Sequence, residues 1–175
     1  YAGTPSGIDN TASTFGGLLW FVKNPGDPST MDQMKIKRPL RIVMGNTLLT
    51  TNTEAAVAGV RNRKAEQPEK YDAIFAKARK LANRAKAALE AYDIDEVGRL
   101  MDENHALLQQ IEVSHPKLDD LVAIARANGA AGAKMTGGGL GGYMVALTPE
   151  PAVQDRVAAA MEKSGFKALK TTIGV

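Results

Sequence analysis

Cysteine is absent from the 175-residue chain, which excludes disulfide scaffolds, thiolate zinc sites and cysteine nucleophiles, and permits a reducing setting. Only two histidines occur, His105 and His115, too few for a histidine-built metal site. Aromatics are scarce at 5% and do not sit among the lysines, so the stacking platform of a nucleic-acid binder is missing. No apolar run approaches the ~20 residues of a membrane-spanning helix, and the first residues lack the basic-then-apolar pattern of a secretory signal. Net charge is also slight. The 22 Lys plus Arg against 19 Asp plus Glu leave +3, spread along helical stretches, which supports no more than a mild attraction for anions. What is present suffices for one sizeable core: 44% of residues are hydrophobic and 23% charged, as in ordinary soluble domains. The sequence opens at Tyr1 and runs straight into a glycine-containing motif, from which we expect part of a longer polypeptide.

Periodicity predicts strands near both ends and helices between. Gly16 to Val22 is an apolar β-favouring run closed by the turn-rich Asn24 to Pro28. Lys35 to Asn46 reads as a strand, with Leu40, Ile42 and Met44 on one face and Val43 on the other, although Pro39 confines its first half to an edge. From Thr53 the period becomes helical through Arg61, Arg63 and Lys64, read as a solvated helix end, until Pro68. A long helix from Tyr71 to Tyr92 follows, with Ile74, Ala78, Leu81, Ala85 and Ala88 at three- and four-residue steps. A partner helix spans Asp95 to Val113, and the short turn between them implies an antiparallel pair. Pro116 to Asn128 is a further helix with Gly129 as a left-handed cap. Tyr143 to Leu147 is a strand, Pro149 opens a helix to Lys163, and Phe166 to Ile173 is a final strand. The order implies an α+β fold, an antiparallel sheet covered on one face by helices. The expected division is residues 1–30, the end of a preceding domain, and 31–175, a second domain.

Two polar or glycine-rich concentrations could carry chemistry. In Thr4-Pro5-Ser6-Gly7-Ile8-Asp9-Asn10, Ser6 and Asp9 have the spacing of a capping box, a purely local role. The same geometry holds a carboxylate ionised at a helix N-terminus, where it can accept a hydroxyl proton. Both roles can coexist. The second is Lys134 to Tyr143, in which Gly137, Gly138, Gly139, Gly141 and Gly142 flank Leu140. Neither a Walker A loop nor a dinucleotide fingerprint fits, because a strand rather than a helix follows. A flexible hairpin connection would need only two glycines, so the surplus favours a backbone concavity for an anion. Asn46, Thr47 and Thr50 to Thr53 form a third cluster, where helix capping by Asn52 or Thr53 competes with a cleft-facing role. His105 interrupts the apolar face of its helix and His115 precedes Pro116, and both read as hydrogen-bonded structural residues.

Taken together, PSGIDNTASTFGG at Pro5 to Gly17, VAGVRNR at Val57 to Arg63 and KMTGGGLGG at Lys134 to Gly142, with MDENH at Met101 to His105 and VSHP at Val113 to Pro116, resemble the C-terminal half of the mevalonate kinase family, within the GHMP small-molecule kinases. The resemblance covers nearly the whole chain. It implies transfer of the ATP γ-phosphoryl group to the primary hydroxyl of mevalonate, in the cytoplasm, as a step of isoprenoid synthesis. Asp9 falls on the family's catalytic aspartate. Ser6, Gly7 and Thr53 fall on substrate-side positions, and Thr136, Gly137, Gly138, Gly139 and Gly141 on the glycine motif beside the phosphates. Two departures stand out: the family commonly shows TGAGGGG where this chain has TGGGLGG, and Leu48 replaces a lysine of many relatives.

The resemblance also implies ATP and Mg²⁺ whose main ligands lie outside this chain, since the family's phosphate loop, a PxxxGLGSSAA-like motif, does not occur here. The expected partners are therefore mevalonate, ATP and the missing N-terminal part of the kinase, with a homodimer left open and neither nucleic acid nor membrane. Alone, the chain is expected to be inactive. The alternatives are a kinase of another small alcohol or phosphorylated alcohol, and a non-catalytic ligand-binding module of the same fold.

Overall fold

The computed structural model describes residues 7–24 and 26–174. In chain order the elements are α1 (Ile8–Phe15), β1 (Leu19–Val22), β2 (Thr30–Gln33), β3 (Leu40–Asn46), α2 (Thr53–Glu66), α3 (Pro68–Ala91), α4 (Ile94–Gln110), α5 (Pro116–Ala127), β4 (Gly132–Met135), β5 (Tyr143–Thr148), α6 (Pro151–Lys163) and β6 (Lys167–Ile173). The β1–β2 hairpin is a small antiparallel pair, Leu19 opposite Gln33 and Val22 opposite Thr30. β2 carries no alternating apolar signal in its TMDQ sequence, so periodicity missed it. The hairpin leans on α3, whose Lys86 Nζ lies 5.0 Å from the ring centroid of Trp20.

The main sheet has the order β4-β5-β3-β6 with every pairing antiparallel. Because side chains alternate along a strand, the register sorts them onto two faces. Val43, Ala146 and Ala133 stand in one row and Met144 and Met135 in the next, all buried against Leu118, Leu121, Val122 and Ala125 of α5 and Val157 and Met161 of α6. This is the helix-covered face that the sequence implies. Leu40, Ile42 and Leu147 point the other way and pack with Leu81 and Ala88 of α3 and Val97 and Leu100 of α4, so the α3–α4 pair extends the arrangement with a second apolar cluster.

Local boundaries differ where proline chemistry decides them. The strand expected from Lys35 starts only at Leu40, directly after Pro39, which has no N–H to donate to a ladder. The last helix begins at Pro151 with Glu150 as its N-cap, two residues later than the expected Pro149. α1 has Gly7, at φ 82°, in the N-cap position with no side-chain cap bond, while the capping box expected between Ser6 and Asp9 involves Ser6, which lies outside the described residues. α2 is capped by Asn52, whose Oδ1 accepts from the Ala55 N–H at 3.0 Å, and α4 by Asp93, which accepts from the Glu96 N–H at 3.0 Å, each satisfying a donor that a helix start would leave open. Gly129 ends α5 at φ 93° as expected.

Candidate functional site

The glycine segment links β4 to β5 and is gripped on several sides. The Leu140 N–H donates to the Val113 carbonyl at 2.7 Å, and a Cβ on Gly139 would stand 2.2 Å from that same oxygen. On Gly138 it would stand 2.8 Å from Thr53 Oγ1, and on Gly141 2.9 Å from Thr51 Cγ2. Both the N–H and the hydroxyl of the buried Thr47 donate to the Gly142 carbonyl, at 2.9 and 3.0 Å. Three of the five glycines therefore have a packing reason, which revises the expectation that their surplus speaks for a ligand alone. Gly137 and Gly142 differ. Both have positive φ, 80° and 75°, with open space where a Cβ would point, so backbone there is accessible to something outside.

The structure brings Thr53, at the first turn of α2, directly against Gly138; both belong to the sequence-derived site. Thr53, Gly137 and Leu140 are exposed and form an open rim. Leu140, the departure from the family motif, adopts φ 60°, a conformation in which a side chain is strained. Asp9 sits in the first turn of α1 and is exposed. Among the described residues no hydrogen bond or ion pair joins it to the Thr53–glycine cluster. A cavity of about 480 Å³ runs along α6 and β6 and one of about 160 Å³ lies between α4 and α5; neither is lined by Asp9 or the glycine segment.

Behind the loop, α4 runs beside the outer edge of β4. Gly98 lets the two backbones touch: a Cβ there would fall 2.1 Å from the Ala131 oxygen. Further along, Asp102 Oδ1 accepts from the Ala133 N–H at 2.9 Å and His105 Nδ1 from the Met135 N–H at 3.3 Å. The pitches explain the match, since seven helical residues and three strand residues each advance about 10 Å. His105 is 4% exposed; burial holds its imidazole below the usual range, while the neighbouring Asp119 opposes that shift. Asp119 Oδ1 lies 3.0 Å from His105 Nε2 and accepts from Ser114 Oγ at 2.6 Å, and Asp102 Oδ2 meets Arg126 at 2.5 Å. The reading of both histidines as structural hydrogen-bonding residues holds, His115 Nδ1 accepting from the Lys117 N–H at 3.1 Å.

Two further residues were not legible in their roles. Arg63, expected at a solvated helix end, is instead tied inward, with Nε donating to Tyr71 Oη at 3.0 Å and Nη2 to the Ile111 carbonyl at 2.8 Å. Lys134, which enters the glycine segment, lies in the sheet row of Val145 and Met44, and burial lowers the pKa of its amine below the usual lysine range. Among the described residues no group of three or more His, Asp or Glu is placed to hold a metal.

Residues 85–168 match the family model described as GHMP kinases C terminal. Over 98% of the chain the sequence is 40% identical to the mevalonate kinase of Thermococcus onnurineus, of which it covers 50%. The crystal structure of Leishmania major mevalonate kinase in complex with R-mevalonate superposes on 99% of the chain with a TM-score of 0.93 and 31% identity, covering 54% of that chain. A Streptococcus pneumoniae phosphomevalonate kinase in complex with phosphomevalonate and AMPPNP shares the fold, with a TM-score of 0.73 over 83% of the chain at 15% identity, covering 43% of that chain. The chain thus spans about half the length of the curated relatives it matches.

Proposed function

We propose, on the premise that this chain carries a GHMP kinase C-terminal domain, that it is the C-terminal part of a cytoplasmic, ATP-dependent mevalonate kinase. The observation that carries this reading is the 40% identity to a mevalonate kinase over 98% of the chain, a span that includes both Asp9 and the glycine segment. In the reaction, the primary hydroxyl oxygen of mevalonate forms a bond to the γ-phosphorus of ATP as the bond to the β,γ-bridging oxygen breaks. Asp9 accepts the hydroxyl proton, and ADP departs. Ser6, Gly7 and Thr53 contribute to the substrate side, and Thr136 to Gly141 lie beside the phosphates.

Because phosphoryl transfer is dominated by alignment and charge neutralisation, Asp9 is only part of the catalyst, and the nucleotide is held mainly by residues outside the chain. Magnesium, which the family implies, would supply neutralisation of phosphate charge, and no group of three or more acidic or histidine side chains among the described residues is placed to hold it. In this reading residues 1–30 end the N-terminal domain and 31–175 form the second, with the β1–β2 hairpin straddling the boundary. The exposure of Ile8 (45%) and Phe15 (53%) on α1 accords with cover from the rest of the kinase. No helix among the described residues is long and apolar enough to cross a membrane.

The test is Asp9→Asn in the full-length protein. With the fold intact, kcat for mevalonate should fall about 10²- to 10⁴-fold. Unchanged turnover, or a wild-type protein that phosphorylates other small alcohols in preference to mevalonate, would overturn the proposal.

A further inference from the structure

We infer that His105 and Asp119 are positioning residues for the glycine loop: a neutral imidazole protonated on Nε2 fixes the strand entering the loop, and the carboxylate it bonds ties down the segment that holds the loop's far side. The claim concerns how the loop is held, and it rests on the proposed kinase reading only for its catalytic readout. An amide N–H can only donate, so the bond from Met135 N to His105 Nδ1 requires that nitrogen to be bare. The ring proton then sits on Nε2 and is donated to Asp119 Oδ1, 3.0 Å away. That oxygen also accepts from Ser114 Oγ at 2.6 Å. Ser114 adjoins Val113, whose carbonyl accepts from the Leu140 N–H at 2.7 Å.

One partly buried network therefore reaches the loop at two points, immediately before Thr136 and at Leu140. A loop whose backbone must meet phosphates within a few tenths of an ångström gains from such bracing. The charged groups facing the ring are Asp119 and Arg126 from α5, Lys134 from β4 and, on its own helix, Asp102, which borders the same small cavity and is paired to Arg126. Burial, the largest influence, favours the neutral ring, the state the geometry demands. A second proton would place an Nδ1–H against the Met135 N–H, donor against donor, and release the strand.

The experiment is performed on the full-length protein containing this chain. Ring ¹⁵N spectroscopy of the wild type should report the Nε2–H tautomer. As acid protonates His105 on Nδ1, exchange protection of the Met135 amide should fall by about tenfold or more, whereas that of Leu140, reached through the Nε2–H bond to Asp119 that survives protonation, should fall only in H105A. In H105A protection should be low at every pH, and kcat should drop about 10- to 100-fold, as for a small misplacement of catalytic groups, with the KM for the alcohol little changed. H105Q, whose Oε1 can accept the Met135 N–H but cannot gain a proton, should recover most of the protection and flatten the acid limb. An Nδ1–H tautomer, or a Met135 amide indifferent to the protonation of His105, would overturn the inference, and neither measurement requires a substitution. A wild-type protein without kinase activity would remove the proposed function but leave the tautomer and exchange results to decide this one.

Discussion

Replacing Gly98 by alanine tests the α4–β4 contact, because the two opposing effects have different signs. An alanine in a helix interior is ordinarily favoured over glycine by about 1 kcal/mol, so a Gly98 with no packing duty would give a more stable variant. The structure demands the opposite. The new Cβ would lie 2.1 Å from the Ala131 oxygen and 2.3 Å from its carbonyl carbon, and ordinary contact at ~3.5 Å requires helix and strand to part by more than about 1 Å. The bond from the Ala133 N–H to Asp102, now 2.9 Å, and that from the Met135 N–H to His105, now 3.3 Å, would both open. Each buried amide left unpaired costs about 1–3 kcal/mol. Losing both, less the propensity gain of about 1 kcal/mol, gives a net destabilisation of about 1–5 kcal/mol. Urea unfolding followed by helical circular dichroism should show a lower midpoint for G98A with an unchanged slope. A midpoint equal to or above the wild type would refute the contact and the edge-capping role of α4.

Two further outcomes are expected. L140G should raise stability by about 0.5–1 kcal/mol, since φ 60° strains leucine but not glycine and the added freedom of the unfolded chain offsets only part of that relief; an unchanged or lower thermal midpoint would contradict it. For Lys134, the amine of the folded chain holds its proton less tightly than that of the unfolded chain, so between those two pKa values the unfolded state binds more protons and stability rises with pH. The burial penalty is fully present below the lowered pKa of the folded amine and shrinks as pH rises beyond it. Lys134→Met should therefore stabilise the protein at pH 7, and its advantage should vanish as pH climbs past ~10.4; paired unfolding curves with a constant difference at every pH would refute it.

Much of this was readable from spacing. The α3–α4 pair, the Asn52 cap and the Gly129 stop follow from side-chain periodicity and backbone chemistry that act within a few residues. What escaped depends on partners far along the chain. Nothing near Arg63 in sequence announces Tyr71 Oη and the Ile111 carbonyl, so an arginine close to a helix end reads as solvated. β2 escaped because its strand character comes from pairing with β1, not from its own side chains. At the site, the glycine run and Thr53 were visible as motifs, but their mutual contact is tertiary. His105 was marked as an interruption of an apolar face. The signal for its role was three α4 residues, Gly98, Asp102 and His105, spaced to meet one short strand, and a lone mid-helix glycine was the cue left unread.

The capping of β4 by Asp102 and His105 makes the main sheet lopsided in how it could recruit a neighbour. One flank has its donors already spoken for by a helix of the same molecule; the other, β6, has β3 as its single strand neighbour among the described residues, with Leu169 61% exposed. Strand-to-strand aggregation or domain exchange through the main sheet should therefore propagate from β6 rather than β4, and on β6 Lys167 and Lys170 act as electrostatic gatekeepers.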